Sequence, residues 1–201
     1  MSDPKTFWNA RYAEPGFAYG FEPNDFLREV ADRIPTGPVL CLAEGEGRNA
    51  VYLAARGHDV TAVDLSAAGL AKAEALARAR GVTIKTIVTD LAEYVIQPGA
   101  WAAIVSIWAH LPESLRARVH KASVAGLRPH GVFVLEAYTP AQLALGTGGP
   151  KDASLLVDPD DLRAETAGLD LVRFEVTTRE VHEGPYHDGM SAVVRALGVR
   201  R

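Results

Sequence analysis

The sequence predicts a doubly wound α/β sheet with an antiparallel edge, and three observations predict it. Short apolar runs alternate with helical segments from residue 37 onward. A Gly-x-Gly junction follows the first of these runs, where open α/β sheets meet their ligands. The last two alternating segments are joined by turn residues with no helix between them. They must therefore run antiparallel, because a parallel pair needs a crossover.

Taken in order, the first 36 residues read as an irregular, aromatic-rich leader with Phe7, Trp8, Tyr12, Phe17, Tyr19, Phe21 and Phe26. Pro35-Thr36-Gly37-Pro38 closes it. Val39–Ala43 is apolar enough for a buried parallel strand. A helix over Asn49–Arg56 follows, with Gly57 placed to end it. Asp59–Asp64 is the second strand. Ser66 caps a helix running to Arg80, in which Glu74 and Arg78 have i,i+4 spacing. Thr83–Thr89 and Ala102–Trp108 are the third and fourth strands. Pro112 suits the first turn of the next helix, whose apolar face carries Leu115, Val119, Ala122 and Gly126. Pro129-His130-Gly131 turns into a fifth strand, Val132–Tyr138. A Gly-rich loop, 146–150, precedes a short helix near Asp160–Thr166. Val172–Thr177 and Met190–Leu197 then form the closing hairpin.

Composition narrows the function. Lys and Arg total 21 against 25 Asp and Glu, a net charge of −4, which offers no basic surface for nucleic acid or an anionic membrane. Cys41 is the one cysteine, so neither a disulfide within the chain nor a multi-cysteine zinc site is available. The start has no basic and apolar leader, and the longest apolar stretch, Ala100–Leu111, is far below the ~20 residues that span a bilayer. The expectation is one cytoplasmic domain over residues 1–201, with 1–36 a cap that orders on a ligand and 37–201 the α/β core. It would be a monomer or weak dimer, with no metal, nucleic acid or membrane as partner.

The chemistry concentrates at Glu44-Gly45-Glu46-Gly47-Arg48-Asn49-Ala50. Two glycines one residue apart let backbone approach a ligand at a helix N-terminus. Asp64 ends the second strand nineteen residues after Gly45, where a carboxylate can grip ribose hydroxyls, and Asp90 follows the third strand on the same edge. The pattern Gly45 to Ala50 also fits G-x-G-x-x-A, a weak signal for a dinucleotide. Charge separates the two readings. Unit charges ~4 Å apart interact by about 4 kcal/mol at an effective dielectric of 20. Glu44 and Glu46 therefore oppose a pyrophosphate and favour a sulfonium. An NAD-linked oxidoreductase remains the alternative enzyme, and a non-catalytic S-adenosylmethionine-binding module the alternative outside enzymes.

Val39 to Asn49 resembles the first motif of class I S-adenosylmethionine-dependent methyltransferases. The segments Tyr19–Leu27, Cys41–Asn49, His110–Pro112 and Thr147–Pro150 are similar to small bacterial members of the tellurite-resistance and thiopurine methyltransferase-like branch. The resemblance covers nearly the whole chain. It implies a Rossmann-like methyltransferase fold of seven strands, S-adenosylmethionine as cofactor and S-adenosylhomocysteine as product. It also implies a small-molecule acceptor, with a thiol or a selenium or tellurium species as a candidate. Gly45 and Gly47 would pass under the cofactor, Asp64 would hold ribose, Asp90 would lie by the adenine, and Trp8 and Arg11 would belong to the closing segment. The full candidate set is Trp8, Arg11, Glu44, Gly45, Glu46, Gly47, Asn49, Asp64, Leu65, Ser66, Asp90, Leu91 and Ile107. The family's usual acidic residue and first glycine are replaced here by Cys41 and Ala43. For the acceptor side, His110 and Tyr138 follow or end adjacent strands. Imidazole can donate or take a proton near neutrality, and a phenol can orient an oxyanion.

Overall fold

A computed structural model describes residues 3–201; Met1 and Ser2, the start of the expected 1–36 cap, lie outside the described residues. The strands are β1 (Pro38–Leu42), β2 (Asp59–Asp64), β3 (Lys85–Val88), β4 (Trp101–Ile107), β5 (Leu127–Tyr138), β6 (Leu169–His182) and β7 (Asp188–Arg200). They form one seven-stranded sheet in the order β3-β2-β1-β4-β5-β7-β6. β7 runs antiparallel to both β5 and β6, while the pairs among the first five strands are parallel. The α-helices are α1 (Pro4–Ala13), α2 (Asp25–Val30), α3 (Arg48–Ala55), α4 (Ala67–Ala79), α5 (Glu113–Gly126) and α6 (Pro159–Glu165).

Alternation along each strand builds two cores. Val39 and Cys41 of β1 face one side with Val60, Ala62, Ala103 and Val105, where Phe26, Leu27, Leu53 and Leu70 pack on them. Leu40 and Leu42 face the other side with Val63, Ile104 and Phe133, against Val119 and Leu162. Cys41 is fully buried as a small hydrophobe.

The leader departs most from expectation. Asp3 accepts a hydrogen bond from Thr6 N and precedes Pro4, so α1 has both a cap and a favourable first residue. Asn24 caps α2 in the same way through Leu27 N. Phe26 and Leu27 are fully buried, so this part of the expected cap belongs to the core. Only α1 and the loop behind it lie over the sheet edge.

The other differences are local. Glu74 accepts from the Thr86 hydroxyl of β3 at 2.6 Å, and no ion pair joins it to Arg78 among the described residues. Pro112 sits one residue ahead of α5 as its cap. The Pro129-His130-Gly131 turn is real, with His130 at φ 63°, but it is an excursion within β5. Leu127 pairs Trp101 before it, and Val132 pairs Ala103 after it. The closing hairpin is longer than its apolar alternation, because polar residues on the exposed edge strand β6 still pair with β7.

α1 is docked by one side chain. Asn9 Oδ1 accepts from the Ser66 hydroxyl at 2.8 Å and from Ala68 N at 3.2 Å, so α1 caps the N-terminus of α4 together with Ser66. Asn9→Ala is expected to lower stability by about 1 kcal/mol, the usual cost of a lost cap bond. Urea unfolding measures it; an unchanged midpoint and slope would show that α1 is held by packing alone.

Candidate active site

The carboxyl ends of β1 and β4, neighbours at the centre of the sheet, each finish on a left-handed residue. Ala43 has φ 49° and Trp108 has φ 56°. Such non-glycine conformations cost roughly 1–2 kcal/mol and collect where a chain is bent for function. Both residues line a pocket of about 460 Å³. Glu44, Glu46, Arg48 and Asn49 form its floor, Trp8, Tyr12 and Tyr19 its outer wall, and Ile107, Trp108, His110 and His187 its far end.

Glu44 is the acidic group with capacity to spare. Its Oε1 accepts from Ala50 N at 2.7 Å, and no partner holds its Oε2. Burial pushes its carboxyl up to about 7, against the Ala50 and Asn49 N–H groups and the Arg48 guanidinium. Glu46 is committed elsewhere: Ala18 N donates to one oxygen at 2.7 Å and Lys72 Nζ to the other at 2.8 Å. Asn49 accepts from Asn24 N at 2.9 Å, tying the loop to α2.

The two motif glycines have different neighbours. A Cβ on Gly47 would lie 2.4 Å from Ala73 Cβ, so this glycine lets α3 and α4 approach. A Cβ on Gly45 would lie 2.6 Å from the Tyr12 hydroxyl. Tyr12 of α1 therefore occupies the approach to this loop. Asp64 accepts from Gly45 N at 2.8 Å and Ser66 N at 2.7 Å, one bond on each oxygen. Burial raises its carboxyl despite these N–H groups. Each oxygen retains acceptor capacity for a further donor.

Leu65 and Asp90 line a second pocket of about 730 Å³ with Asp3, Pro4 and Lys5, on the other side of Tyr12 from the first. Ser66 caps α4 through Gly69 N, and Leu91 is buried in the second core. Arg11 does not reach the glycine loop. Its guanidinium lies 3.6 Å from the centre of the Tyr186 ring, and Nη1 donates to the Tyr19 hydroxyl at 3.2 Å.

On the acceptor side the structure separates the two expected residues. His110 lines the pocket, and burial, with His187 close by, pushes its imidazole down to about 3. Tyr138 does not line the pocket. It stacks behind Trp108 with ring centres 4.3 Å apart and is 1% exposed. Gly148 and Gly149 press on its ring and hydroxyl, so it reads as a wall behind the site.

The residues missed from sequence come from the β6–β7 hairpin loop. Because β7 is antiparallel, this loop lies at the same edge as the ends of β1 and β4. It brings in Glu183 and His187, 7% and 4% exposed. Glu183 Oε2 accepts from Arg48 Nη2 and from Trp108 Nε1, both at 2.6 Å, and Oε1 accepts from Asn24 Nδ2 at 2.9 Å. Burial pushes the Glu183 carboxyl up, but Arg48, His187 and Trp108 outweigh it and hold the group well below the usual carboxylate range. No local pattern flags Glu183. The signal available for His187 was its place in the turn between two strands of the sheet.

Residues 39–131 match a family described as "methyltransferase domain". The chain is 25% identical over 145 residues to the 2-heptyl-1-hydroxyquinolin-4(1H)-one methyltransferase of Mycobacteroides abscessus, which covers 71% of this chain. It spans 64% of the length of that relative. Among solved structures, TehB from Haemophilus influenzae superposes with a TM-score of 0.74 at 18% identity, covering 98% of this chain and 67% of its own. A structure described under the conversion of a disulfide bond into a thioacetal group during echinomycin biosynthesis gives 0.76 at 19% identity, covering 98% and 92%.

Proposed function

Because the chain belongs to the class I S-adenosylmethionine-dependent methyltransferases, we propose that it transfers a methyl group from S-adenosylmethionine to a small molecule. The observation that carries this reading is the single pocket shared by the Glu44–Asn49 loop and the aromatic, histidine-bearing end at Trp108, His110 and His187. One side has negative charge for a cationic ligand, and the other has polar groups for an acceptor.

The residues present fit the cofactor. Glu44, with one free oxygen, suits its positive charge, and Asp64 and Asp90 suit ribose and adenine at the second pocket. Leu65, Ser66, Leu91 and Ile107 complete the proposed set, with Trp8 above. A ligand spanning both pockets must displace Tyr12 from Gly45. The closing segment is then α1 moving as a formed helix, hinged beyond its Asn9 contact. When bound, the cofactor supplies a sulfonium-activated methyl and leaves as S-adenosylhomocysteine. The chain's own contribution is largely orientation: Trp8, Tyr19 and Trp108 wall the site, and the neutral His110 imidazole can donate to or accept from the acceptor.

The acceptor we propose is a soft nucleophile, a thiol or a selenium or tellurium species. Support comes from the resemblance to the tellurite-resistance and thiopurine branch and from the sulfur chemistry named for one structural neighbour. No helix among the described residues is long and apolar enough to cross a membrane. A cytoplasmic monomer or weak dimer acting without nucleic acid fits this reading.

Release of S-adenosylhomocysteine over an acceptor panel of thiols, selenite and tellurite tests the reaction. Calorimetry tests the cofactor side. A cation beside Glu44 lowers its pKa from about 7, so binding at pH 7 should release roughly half a proton. Affinity should rise with pH through about 7 and then level off, because only the ionised carboxylate attracts the ligand. Binding heats in buffers of different ionisation enthalpy give the proton count. Zero release would remove Glu44 from the cofactor site, and tight NAD binding with none for S-adenosylmethionine would replace the whole reading.

A further inference from the structure

His187 is 4% exposed, lines the pocket, and has an Nδ1 without any hydrogen-bond partner. A buried imidazole nitrogen left unpaired is costly and calls for a reason. The carboxylate nearest to it is Glu183, whose Oε2 lies 3.9 Å from Nδ1, about 1 Å beyond a hydrogen bond. Glu183 itself cannot swing, since Arg48, Trp108 and Asn24 hold both its oxygens. The backbone is pinned as well, with Glu183 N donating to His187 O at 2.7 Å. The arrangement is a fixed carboxylate behind an imidazole, with the rest of the ring toward the pocket.

The cations around this chamber are already paired. Arg48 is bonded to Glu183, Lys72 to Glu46, and Arg11 is spread over the Tyr186 ring. A buried oxyanion would meet Glu44 and Glu183 with no free positive side chain among the described residues lining the pocket.

We propose that His187 is the proton-accepting group for methyl transfer, positioned by Glu183, and that the acceptor enters as a neutral X–H molecule. The proposal rests on the methyltransferase reading above and deepens it. Glu183 directs the Nδ1 proton toward itself, so that Nε2 faces the acceptor as a base. A lone pair on X forms the new bond to the methyl carbon, and the electron pair of the breaking S–C bond returns to sulfur. The X–H proton passes to Nε2, leaving its electron pair on X. The resulting imidazolium is stabilised by the Glu183 carboxylate and later gives its proton to solvent. The balance is S-adenosylmethionine plus H–X giving S-adenosylhomocysteine, CH3–X and one proton, with no oxidant or reductant.

The groups facing His187 support this assignment. Burial lowers its imidazole and Glu183 opposes that, while Arg48 and Arg11 add to the lowering. The Tyr19, Tyr138 and His110 rings lie with centres 4.4, 5.3 and 6.4 Å away. His110, driven to about 3, is the weaker base of the two.

The test compares the parent with His187→Asn and His187→Gln, using dithiothreitol and selenite as probes from pH 6 to 9. S-adenosylmethionine calorimetry and thermal unfolding are run on the same preparations. General-base removal typically costs 10²–10⁴-fold, and a thiol partly self-ionises, so a fall of about 30-fold or more with dithiothreitol at pH 7 is expected. Cofactor affinity should stay within about threefold. The variants should regain rate about tenfold per pH unit up to the thiol pKa of about 8.5, as solution supplies thiolate, whereas the parent profile stays flat above pH 7. Two substitutions of different length keep the result independent of one misfolded variant. Either folded variant matching the parent's rate and profile overturns the proposal. So does a parent that binds S-adenosylmethionine yet methylates selenite as fast as dithiothreitol, or methylates neither. A parent that does not bind S-adenosylmethionine removes instead the methyltransferase reading on which it rests.

Discussion

Glu183→Gln is expected to lower the stability of the protein by about 3–5 kcal/mol at pH 7, because it strands a buried guanidinium. Arg48 is 7% exposed and pairs with Glu183 at 2.6 Å, so the variant leaves its charge buried without a counter-ion. The glutamine can still accept from Trp108 Nε1 or Asn24 Nδ2, which keeps the loss electrostatic. For a chain of this size, each kcal/mol moves the melting temperature by roughly 2–4 °C, so a fall of about 10 °C is the expected reading. The pH dependence has a definite sign. The folded-state carboxyl is held below its unfolded value near 4.3, so its contribution is fully present above that value. It is lost as pH falls through the lower folded value. The gap between parent and variant should therefore be constant from neutral pH to about 5 and narrow on further acidification. A gap that widens in acid, or one below 1 kcal/mol at pH 7, contradicts the ion pair.

Gly47→Ala is expected to cost about 2–5 kcal/mol, the sum of a left-handed alanine at ~1–2 and an overpacked contact at ~1–3. Gly47 has φ 86° at the start of α3, and its missing Cβ would meet Ala73 Cβ at 2.4 Å and Ala73 Cα at 2.7 Å. Neither atom is the end of a flexible side chain, so α3 and α4 must separate to admit the methyl. Urea unfolding with an unchanged slope measures the loss. Combining it with Ala73→Gly separates the two causes: relief of the clash should return only the packing part. Full recovery would mean that the backbone conformation carries no strain, and no recovery that the clash is not the cause. Gly45, by contrast, meets the Tyr12 ring, which belongs to a helix that a bound cofactor has to move.

The order of strands and helices from Val39 to Tyr138 was legible in the sequence because each strand there is buried on both faces. Such strands need continuous apolar runs, and the glycines and caps between them act within a few residues. The glycine junction, Asp64 and Asp90 were legible for the same reason, since they sit at the ends of those runs. The leader was less so. Its aromatics obscured the caps at Asp3 and Asn24, although both signals were present. Gly45 and Gly47 looked alike in sequence and were separated only by what packs against them, Tyr12 and Ala73.

By itself the sequence determined the alternation of elements, the edge of the sheet where a ligand binds, and the acidic character of that edge. The tertiary structure alone decided which side chains share the pocket. Tyr138, placed beside His110 by its strand, turned behind Trp108. Glu183 and His187 came in from a hairpin more than 130 residues from the glycine junction. Short-range patterns specify hydrogen bonding and burial along one element. The antiparallel return of β7, which carries that loop to the ends of β1 and β4, is set by packing between elements distant in the chain.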